Sequence, residues 1–504
     1  MNKNNNMFFR LLILLLSTSF VYSQSPGSLD TTFGTNGISG HTLTINNILH
    51  GLSVRDFHIL PNNKILAVGI AQNGCSSTQN QFGFVMRLNN DGSLDSTFNN
   101  VGYVLFFNYF FQSIVPLNNE TFFIVSTNHL LKINADGNPD VSFGSGGFLS
   151  LNFQAFKAII AQNGKILIGG RKMNASAQWE VLVTQINVNG TIDNSFGDNG
   201  SVIIPHQSGA STTFGGIHID NQNRVLLACR RQVSQNNGKI IVFRLTQSGV
   251  YDTSFATNGI YFEDFHFNAR TQDIKTTPDG KIIIAGNGQL TSFGTHGLIL
   301  IQLNENGTLN TNFATNGRVH LPIYSESTAN SLHVLTDESI VVTGGYESSY
   351  IAKFNNLGII ATDFGENGVV NQFFFDWTGF NTASKIIDNK ILLSANTAFA
   401  HCSQQKYEAL FARFFLSSQS LEIPPAEYGS FELYPNPVKE KLYIKSIDKI
   451  ETVEIFLTNG KIVNLNNIFV EDLNVVDLSN LSSGIYVIKI ATKKNFITKY
   501  IIKE

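Results

Sequence analysis

The sequence predicts an all-β protein: a seven-bladed β-propeller followed by a small β-sandwich. Three observations lead to this prediction: a short motif that occurs seven times, about four strand-like runs per repeat, and a change of composition after residue 421. In its fullest form the motif is Gly-x-Leu-Asp-x-Thr/Ser-Phe-Gly-x-Asn-Gly. Its phenylalanines are Phe33, Phe98, Phe143, Phe196, Phe255, Phe313 and Phe364.

The spacing of the motif sets the size of the repeating unit. Successive phenylalanines are 65, 45, 53, 59, 58 and 51 residues apart, which is too long for a thin solenoid coil and suits a four-stranded blade. In the first unit the predicted strands cover residues 37–45, 54–60, 65–71 and 82–88. Polar turns such as Pro61-Asn-Asn-Lys64 and Pro278-Asp-Gly-Lys281 join the second and third runs, as in tight hairpins.

The third run of each unit is almost continuously apolar, as in Ile65-Leu-Ala-Val68 and Ile282-Ile-Ile-Ala285. A strand of this kind is covered on both faces, which is expected where each blade lies between two neighbours. Glycines close several of these runs, and we expect a neighbouring backbone to come close there. They are Gly69, Gly169, Gly286 and Gly344.

The two ends of the repeat region predict a closed ring. The seventh unit ends in the strand-like run 409–415 and lacks the Leu-Asp-x-x-Phe segment that follows this run in other units. The segment Pro26-Gly-Ser-Leu-Asp-Thr-Thr-Phe33 stands alone before the first unit. We therefore expect the last blade to be completed by the N-terminus, which leaves no free sheet edge.

Composition restricts the class of protein. The chain has 504 residues, of which 42% are hydrophobic and 14% charged, and its formal net charge is −3. Such a chain can bury a large core, and it has no broad basic surface with which to bind nucleic acid. No cofactor motif is present, so no cofactor is expected.

Residues 1–23 have the features of a signal peptide: Lys3 and Arg10, the short apolar stretch 11–16, and small residues before Gln24. No other stretch reaches transmembrane length. The sequence therefore predicts export, with the propeller over residues 24–421. A Ser- and Pro-containing linker follows at 422–430, and a second domain at 431–504.

The three cysteines divide into two groups. Cys229 lies in an apolar run and is expected to be a buried, inert thiol. Cys75 and Cys402 both follow the third run of their units, in the first and the seventh unit. Because a closed ring makes these units neighbours, they are either a disulfide that locks the ring or two unrelated free thiols.

Two polar clusters are candidate sites. The stretch 134–140 is rich in oxygen ligands but lacks the spacing of a calcium loop, so an Asx turn is expected and no metal site. Glu263, Asp264, His266 and Arg270 form an unrepeated cluster in the fifth unit. If they lie on one strand, alternation places Asp264 on the side of His266. Asp264, His266 and, in the seventh unit, Asp376 are the candidate catalytic residues; solvated polar residues are the alternative.

The repeated motif resembles the delta-60 repeat of large secreted bacterial proteins, over roughly residues 26–421. That resemblance implies membership of a repeat family and no particular activity. The sequence departs from the pattern at Asn310, which replaces the motif aspartate, and at Ala361 and Thr362 in the seventh unit. The aspartate therefore looks like a replaceable turn former.

The C-terminal domain resembles the type A sorting domain of the type IX secretion system. The motifs that carry this resemblance occur in order: a Tyr-Pro-Asn-Pro start, an Asn-Gly-Lys hairpin and a Leu-x-x-Gly-Ile-Tyr strand. The matching residues are Tyr434, Pro435, Asn436, Pro437, Gly460, Lys461, Gly484 and Tyr486.

The resemblance implies recognition by the outer-membrane translocon, removal by its sorting-domain peptidase, and a Bacteroidetes-type source. The passenger would then be released or attached to the cell surface. Two function classes remain open for it. The first is a binding or adhesion scaffold for an extracellular glycan or protein. The second is an enzyme acting on polysaccharide at one face of the propeller.

Overall fold

A computed structural model describes residues 24–45, 48–73, 81–204, 211–234, 237–292, 294–323, 327–345, 349–372, 379–397, 408–417, 432–446, 450–457, 462–463, 474–492 and 496–504. The chain divides into two compact units, Met1–Ser418 and Gln419–Glu504. The predicted signal peptide 1–23, the linker 422–430 and several residues singled out in the sequence lie outside the described residues. The latter are Cys75, Cys402, Asp376, Gly460 and Lys461.

The first unit is a β-propeller. Across the described ranges it contains seven antiparallel sheets, which confirms the predicted number of blades. In each blade the strand named first below is the inner strand, and residues of these seven strands line a central channel. Blade 1 consists of Ile48–Ile59, Ile65–Asn73, Gln81–Leu88 and Tyr103–Phe107, with Leu43–Ile45 added to its inner edge; blade 2 of Phe111–Pro116, Thr121–Ser126, His129–Asn134 and Phe148–Ser150; blade 3 of Gln154–Ile160, Ile166–Met173, Trp179–Ile186 and Ser201–Ile204.

The next three blades repeat this order without a break in topology. A single turn of 3-10 helix, Phe98–Asn100, lies in the motif of blade 1, between its third and fourth strands. Blade 4 consists of Ser211–Ile219, Val225–Ser234, Asn237–Leu245 and Ile260–Glu263; blade 5 of Phe267–Thr276, Ile282–Gln289, Gly297–Leu303 and Arg318–Leu321; blade 6 of Ala329–Val334, Ile340–Gly345, Ser349–Phe354 and Val369–Gln372.

Blade 7 closes the ring with strands from both ends of the repeat region. Its first three strands are Gly379–Ile387, Lys390–Thr397 and Ala409–Phe415, and its outer strand is the N-terminal Ile38–His41. The preceding motif is anchored to the same blade, since the Gly27 amide donates to the Phe415 carbonyl at 2.7 Å. Predicted closure by the N-terminus is therefore confirmed.

The boundaries between repeats differ from those that the sequence suggested. The run after each Asn-Gly turn, such as 37–45 in the first unit, was predicted to open a blade. It instead forms mainly the outer strand of the preceding blade. The sequence motif and the blade are therefore out of phase by one strand. In blades 1 to 6 the motif joins the third strand to the fourth, and in blade 7 the first motif precedes the fourth strand.

The core consists of layers between neighbouring blades. The second strands are buried on both faces, as predicted: Leu66 and Val68 pack toward blade 2, while Ile65 and Ala67 pack toward blade 7. Cys229 is fully buried in blade 4, and burial raises the pKa of its thiol to about 12. It is a free thiol, as expected.

Each motif packs its phenylalanine into the core, and the motifs that contain the aspartate use it as an anchor. Asp95 accepts from the backbone N–H and Oγ1 of Thr97, the turn-forming role expected from the sequence. It also pairs with Lys64 at 2.8 Å and Arg87 at 2.6 Å, and Arg87 lies over the Phe98 ring. Equivalent ion pairs are Arg413–Asp30, Lys132–Asp140, Lys165–Asp193 and Arg244–Asp252.

The second unit is a β-sandwich. One sheet contains Glu432–Tyr434, Lys441–Lys445 and Asn474–Asp477, and the other contains Ile462–Val463, Ile450–Leu457, Gly484–Thr492 and Phe496–Lys503. Apolar residues of both sheets form one core, with Leu442 and Val476 from the first and Ile455 and Ile488 from the second.

Candidate functional site

The unrepeated cluster near residue 264 does not lie on one strand. The outer strand of blade 4 ends at Glu263, and the inner strand of blade 5 begins at Phe267. The prediction that Asp264 lies on the side of His266 is wrong, because alternation stops where the strand ends. The Asp264 side chain is 77% exposed, whereas His266 is fully buried with Nδ1 3.9 Å from Glu263 Oε1.

Glu263 is the centre of this cluster and has a structural role. Its buried carboxylate accepts from Tyr261 Oη at 2.5 Å, from the Phe265 amide at 2.8 Å and from Arg318 Nη2 at 3.1 Å. Arg318 belongs to blade 5, so the carboxylate joins two blades. Burial lowers the pKa of His266 to about 4, which leaves the imidazole neutral at pH 7.

A different set of residues converges at the centre of the propeller. Each inner strand contains a β-bulge at the same height, where one residue has no partner on the second strand. Bulges re-aim side chains and are frequent beside binding sites. The seven bulged residues are Arg55, Gln112, Phe156, Gly215, Gln272, Asn330 and Thr382.

The bulged residues of blades 1 to 6 line one cavity of about 420 Å³ on the channel axis. Within the part of the chain that the structure describes, Arg55, Gln112 and Gln272 have no hydrogen-bond or ion-pair partner for their side chains. These three polar groups are therefore open to a ligand. On the third and fourth blades the wall has an apolar part, where Phe156 and Phe214 stack with their ring centroids 6.0 Å apart, and Lys157 of blade 3 also lines the cavity.

Two carboxylates stand one residue after the bulge, in blades 1 and 5, and both are engaged by the protein. Asp56 accepts from its neighbouring Phe57 amide at 2.9 Å and from the Ile114 amide of blade 2 at 3.1 Å. Ser113 Oγ donates to the same oxygen as Ile114, and Lys385 of blade 7 pairs with Asp56 at 3.1 Å. Asp56 thus joins blades 7, 1 and 2.

Asp273 repeats this arrangement in blade 5. It accepts from the Ile274 amide at 3.0 Å and from the Leu332 amide of blade 6 at 3.1 Å. Lys157 of blade 3 and Lys275 pair with it at 3.1 and 3.0 Å. Although burial opposes ionisation, these two ammonium groups hold the pKa of Asp273 well below its usual range.

Blade 4 makes room for the contact between blades 3 and 5. It has Gly215 at the bulge and Gly216 after it, where other blades carry side chains. A Cβ at Gly215 would lie 2.5 Å from the Thr271 carbonyl oxygen of blade 5. The absence of a side chain therefore lets blade 5 approach, and Lys157 reaches Asp273 past blade 4.

The cavity carries excess positive charge. Among its described lining residues, Arg55, Lys157, Lys275 and Lys385 face only Asp56 and Asp273. The excess is two positive charges, in a chain whose formal net charge is −3. This makes the centre of the ring a local attractor for anions.

A second cavity of about 760 Å³ continues along the channel and shares Lys275, Leu332 and His333 with the first. His333 Nε2 lies 2.8 Å from Ser384 Oγ, and His218 Nε2 lies 3.0 Å from Thr276 Oγ1. Burial and nearby lysines lower the pKa of His333 to about 3 and that of His218 to about 4. Both imidazoles are therefore neutral at pH 7 and add no charge.

Of the other sequence candidates, Arg270 is exposed and does not line either cavity, and the loop 134–140 is held by its own hydrogen bonds. Asn134 Oδ1 accepts from the amides of Asp136 and Asn138, as in an Asx turn, and Asp140 pairs with Lys132. In the described ranges, no group of three or more His, Cys, Asp or Glu residues is arranged to hold a metal ion.

The Tyr-Pro-Asn-Pro motif of the second unit is fastened to the final strand. Asn436 Oδ1 accepts from the Ile502 amide at 2.8 Å, and its Nδ2 donates to the Tyr500 carbonyl at 3.0 Å. Tyr434 stacks on Tyr443, and Tyr486 Oη donates to the Ser482 carbonyl. The motif residues therefore set where the last strand lies. No helix within the described residues is long and apolar enough to cross a bilayer.

Comparisons with sequence families agree with both units. Residues 432–504 match the secretion system C-terminal sorting domain. Residues 60–98, 161–196 and 277–313 match a beta-propeller domain of unknown function, DUF5122, the family of delta-60 repeats. The matches therefore fall on the second unit for the sorting domain and on three stretches of the first unit for the propeller repeat. No curated protein matched the chain.

Solved structures give distant likenesses. A protein of unknown function from Dyadobacter fermentans is 11% identical, with 75% of this chain and 99% of that chain covered and a TM-score of 0.42. The polysaccharide lyase Uly1 is 10% identical, with 79% and 98% covered and a TM-score of 0.42. A protein of unknown function from Bacteroides caccae is 11% identical, with 61% and 98% covered and a TM-score of 0.34. At this distance the likenesses carry no information about a ligand.

Proposed function

We propose that this chain is an exported binding protein whose propeller holds an extracellular glycan in its central channel. The observation that carries the proposal is the ring of bulges, which turns polar side chains from successive blades into one cavity. The cavity volume of about 420 Å³ is in the range of pockets that enclose small ligands.

Export is supported by the sorting domain at residues 432–504. In this proposal residues 1–23 are a signal peptide, and the type IX translocon and its sorting-domain peptidase handle the chain. The source is then a Bacteroidetes-type bacterium, and the propeller acts outside the cell or on its surface. A glycan is a fitting ligand there, because amide groups such as Gln112 and Gln272 hydrogen-bond hydroxyls and the Phe156–Phe214 wall can cover a sugar ring.

Binding is favoured over hydrolysis by the state of the two carboxylates. Hydrolysis of a glycosidic bond usually needs one carboxyl group that is protonated and another that is free to act as base or nucleophile. Asp56 and Asp273 are instead bound by backbone amides and lysines, and each joins three strands. They hold the blades together. A polysaccharide-acting enzyme is the alternative function.

The purified chain should be screened on an array of neutral and acidic glycans, and the best binder measured by titration calorimetry. Replacement of Gln112 and Gln272 by alanine should weaken binding by about threefold or more for each lost hydrogen bond. The exposed turn variant Gln162→Ala is the control. Binding that is the same in the double variant would place the site elsewhere. Shortened glycan chains in the calorimeter sample after incubation would favour the alternative function, an enzyme that cleaves polysaccharide.

A further inference from the structure

The four cationic side chains of the cavity differ in whether they form an ion pair with a carboxylate of the protein. Lys385 is paired with Asp56, and Lys157 and Lys275 share Asp273. Arg55 has no such partner among the described residues, although Asp56 is its neighbour in sequence. It is therefore the one arginine of this cavity whose donors remain available.

The position of Arg55 strengthens the attraction between its guanidinium and an anionic ligand group. The Arg55 side chain is exposed to the channel. Partial desolvation by the surrounding protein lowers the pKa of its guanidinium, which nevertheless stays charged because an arginine pKa begins far above neutrality. A cation that has lost part of its hydration gains more from an anion than one in bulk water. The planar guanidinium offers paired N–H donors that match a carboxylate or a sulfate.

The opposite part of the ring has a different chemistry. Arg55 belongs to blade 1, and the stacked Phe156 and Phe214 belong to blades 3 and 4. Gln112 of blade 2 lies between them in the ring order. The cavity therefore offers a cation, an amide and an apolar wall in succession, which suits a ligand with a charged group, hydroxyls and a flat apolar ring face.

We infer that the channel ligand is an acidic sugar, bearing a uronic acid carboxylate or a sulfate ester, and that Arg55 binds its anionic group directly. This rests on the proposed function, whose ligand class it narrows. The excess of two positive charges attracts the ligand, and Arg55 supplies the contact that discriminates an acidic sugar from a neutral one.

The test uses the full chain and immobilised acidic polysaccharides, some with uronic acids and some with sulfate esters, each paired with its carboxyl-reduced or desulfated form. The expected result is that at least one acidic member binds about tenfold or more tightly than its neutral form. Arg55→Gln should remove this preference, with a loss of about 10- to 100-fold for that member, as for a charge-assisted hydrogen bond. Arg270→Gln, an exposed arginine outside the cavity, is the matched control.

The outcomes separate this inference from the proposed function. Equal binding of acidic and neutral forms, or an unchanged preference in Arg55→Gln, would overturn the acidic ligand. If binding is then still lost in the Gln112 and Gln272 variants, the channel remains a glycan site. If none of these variants changes binding, both proposals fail. A preference for only the uronic acid pairs or only the sulfated pairs identifies which anion Arg55 binds.

Discussion

Arg413 Nε donates to Asp30 Oδ2 at 2.7 Å, although 383 residues separate the two in sequence. The same carboxylate oxygen accepts from Lys390 at 2.7 Å, and both cations belong to blade 7. Asp30 is almost fully buried and follows the first copy of the motif's leucine. One buried carboxylate thus fixes the N-terminal motif to the last blade through two ion pairs, at the place where the ring closes.

Replacement of Asp30 by asparagine should destabilise the propeller by about 3 kcal/mol, because it leaves two cations at a buried site without their anion. The midpoint of thermal unfolding measures this. Asp140→Asn is the matched control at the same motif position in another blade, where the carboxylate is 29% exposed and pairs with Lys132. If the two variants lose equal stability, ring closure does not depend on Asp30 more than on the other motifs.

Stability should also fall in acid through Asp30. Its pKa is lowered from 3.8 to about 2: burial acts in the opposite direction, and Lys390, Thr32 and Arg413 overcome it. A depressed carboxylate pKa contributes stability that is complete above the unfolded value and is lost as pH falls toward the folded value. Wild type should therefore lose about 2 kcal/mol more than Asp30→Asn between pH 5 and pH 2. The free energy of unfolding of both proteins is measured by denaturant titration at several pH values. If it falls equally with pH in both, Asp30 is not the source of the acid sensitivity.

The glycines opposite the bulges should resist substitution. A Cβ at Gly69 would overlap the Ser53 carbonyl oxygen, on the strand that carries Arg55 at its bulge. Gly69→Ala should cost about 1 to 3 kcal/mol of stability, because the bulged strand must move. In Gly40→Ala the new methyl group meets mainly the Glu408 and Leu410 side chains, which can shift. Equal denaturation midpoints for the two variants would show that the bulge does not need a glycine.

Blade 5 replaces the motif ion pair with an amide pair. Asn310 Nδ2 donates to Gln302 Oε1 at 2.5 Å, in the positions that Asp252 and Arg244 occupy one blade earlier. Asn310→Asp combined with Gln302→Arg should restore the ion pair, whereas each single change buries a charge without its partner. A double-mutant cycle should give a favourable coupling of about 1 to 3 kcal/mol. A coupling near zero would mean that the two positions act independently.

The sorting motif should depend on Asn436. Asn436→Ala removes both hydrogen bonds to the final strand, at Tyr500 and Ile502, and should lower the stability of the second unit by about 2 kcal/mol. In cells with the type IX system, the amount of exported protein should fall while the signal of the propeller in circular dichroism is unchanged. Asn459→Ala, in the predicted Asn-Gly hairpin, is the comparison. Full export of Asn436→Ala would show that recognition of the sorting motif does not depend on the hydrogen bonds between Asn436 and the final strand.

Local sequence was sufficient for the ring and its closure. The phenylalanine of the motif recurs because each blade needs a buried aromatic side chain at the same place. The isolated motif copy around Asp30, at the N-terminus, corresponds to the copy that is missing after residue 415. Local sequence did not show at which strand one blade ends and the next begins. Whether the run after Asn36 and Gly37 belongs to the blade before or after it depends on pairing with the distant strand Ala409–Phe415.

The site was missed because a bulge is a relation between two strands. Strict alternation along one strand assigned Asp264 to the side of His266, and it gives no reason why Arg55 and Asp56 both belong to the channel. One signal was available. Gly69 and Gly286 close apolar runs, and the structure places each opposite a bulge, next to Arg55 and Gln272.

The most direct test of the central claim is a crystal structure of the chain with its best-binding oligosaccharide. The account predicts that the ligand lies on the channel axis, with an acidic group within hydrogen-bond distance of Arg55 and hydroxyls near Gln112 or Gln272. An oligosaccharide bound on the outer strands of the blades, with the channel filled by solvent alone, would contradict it.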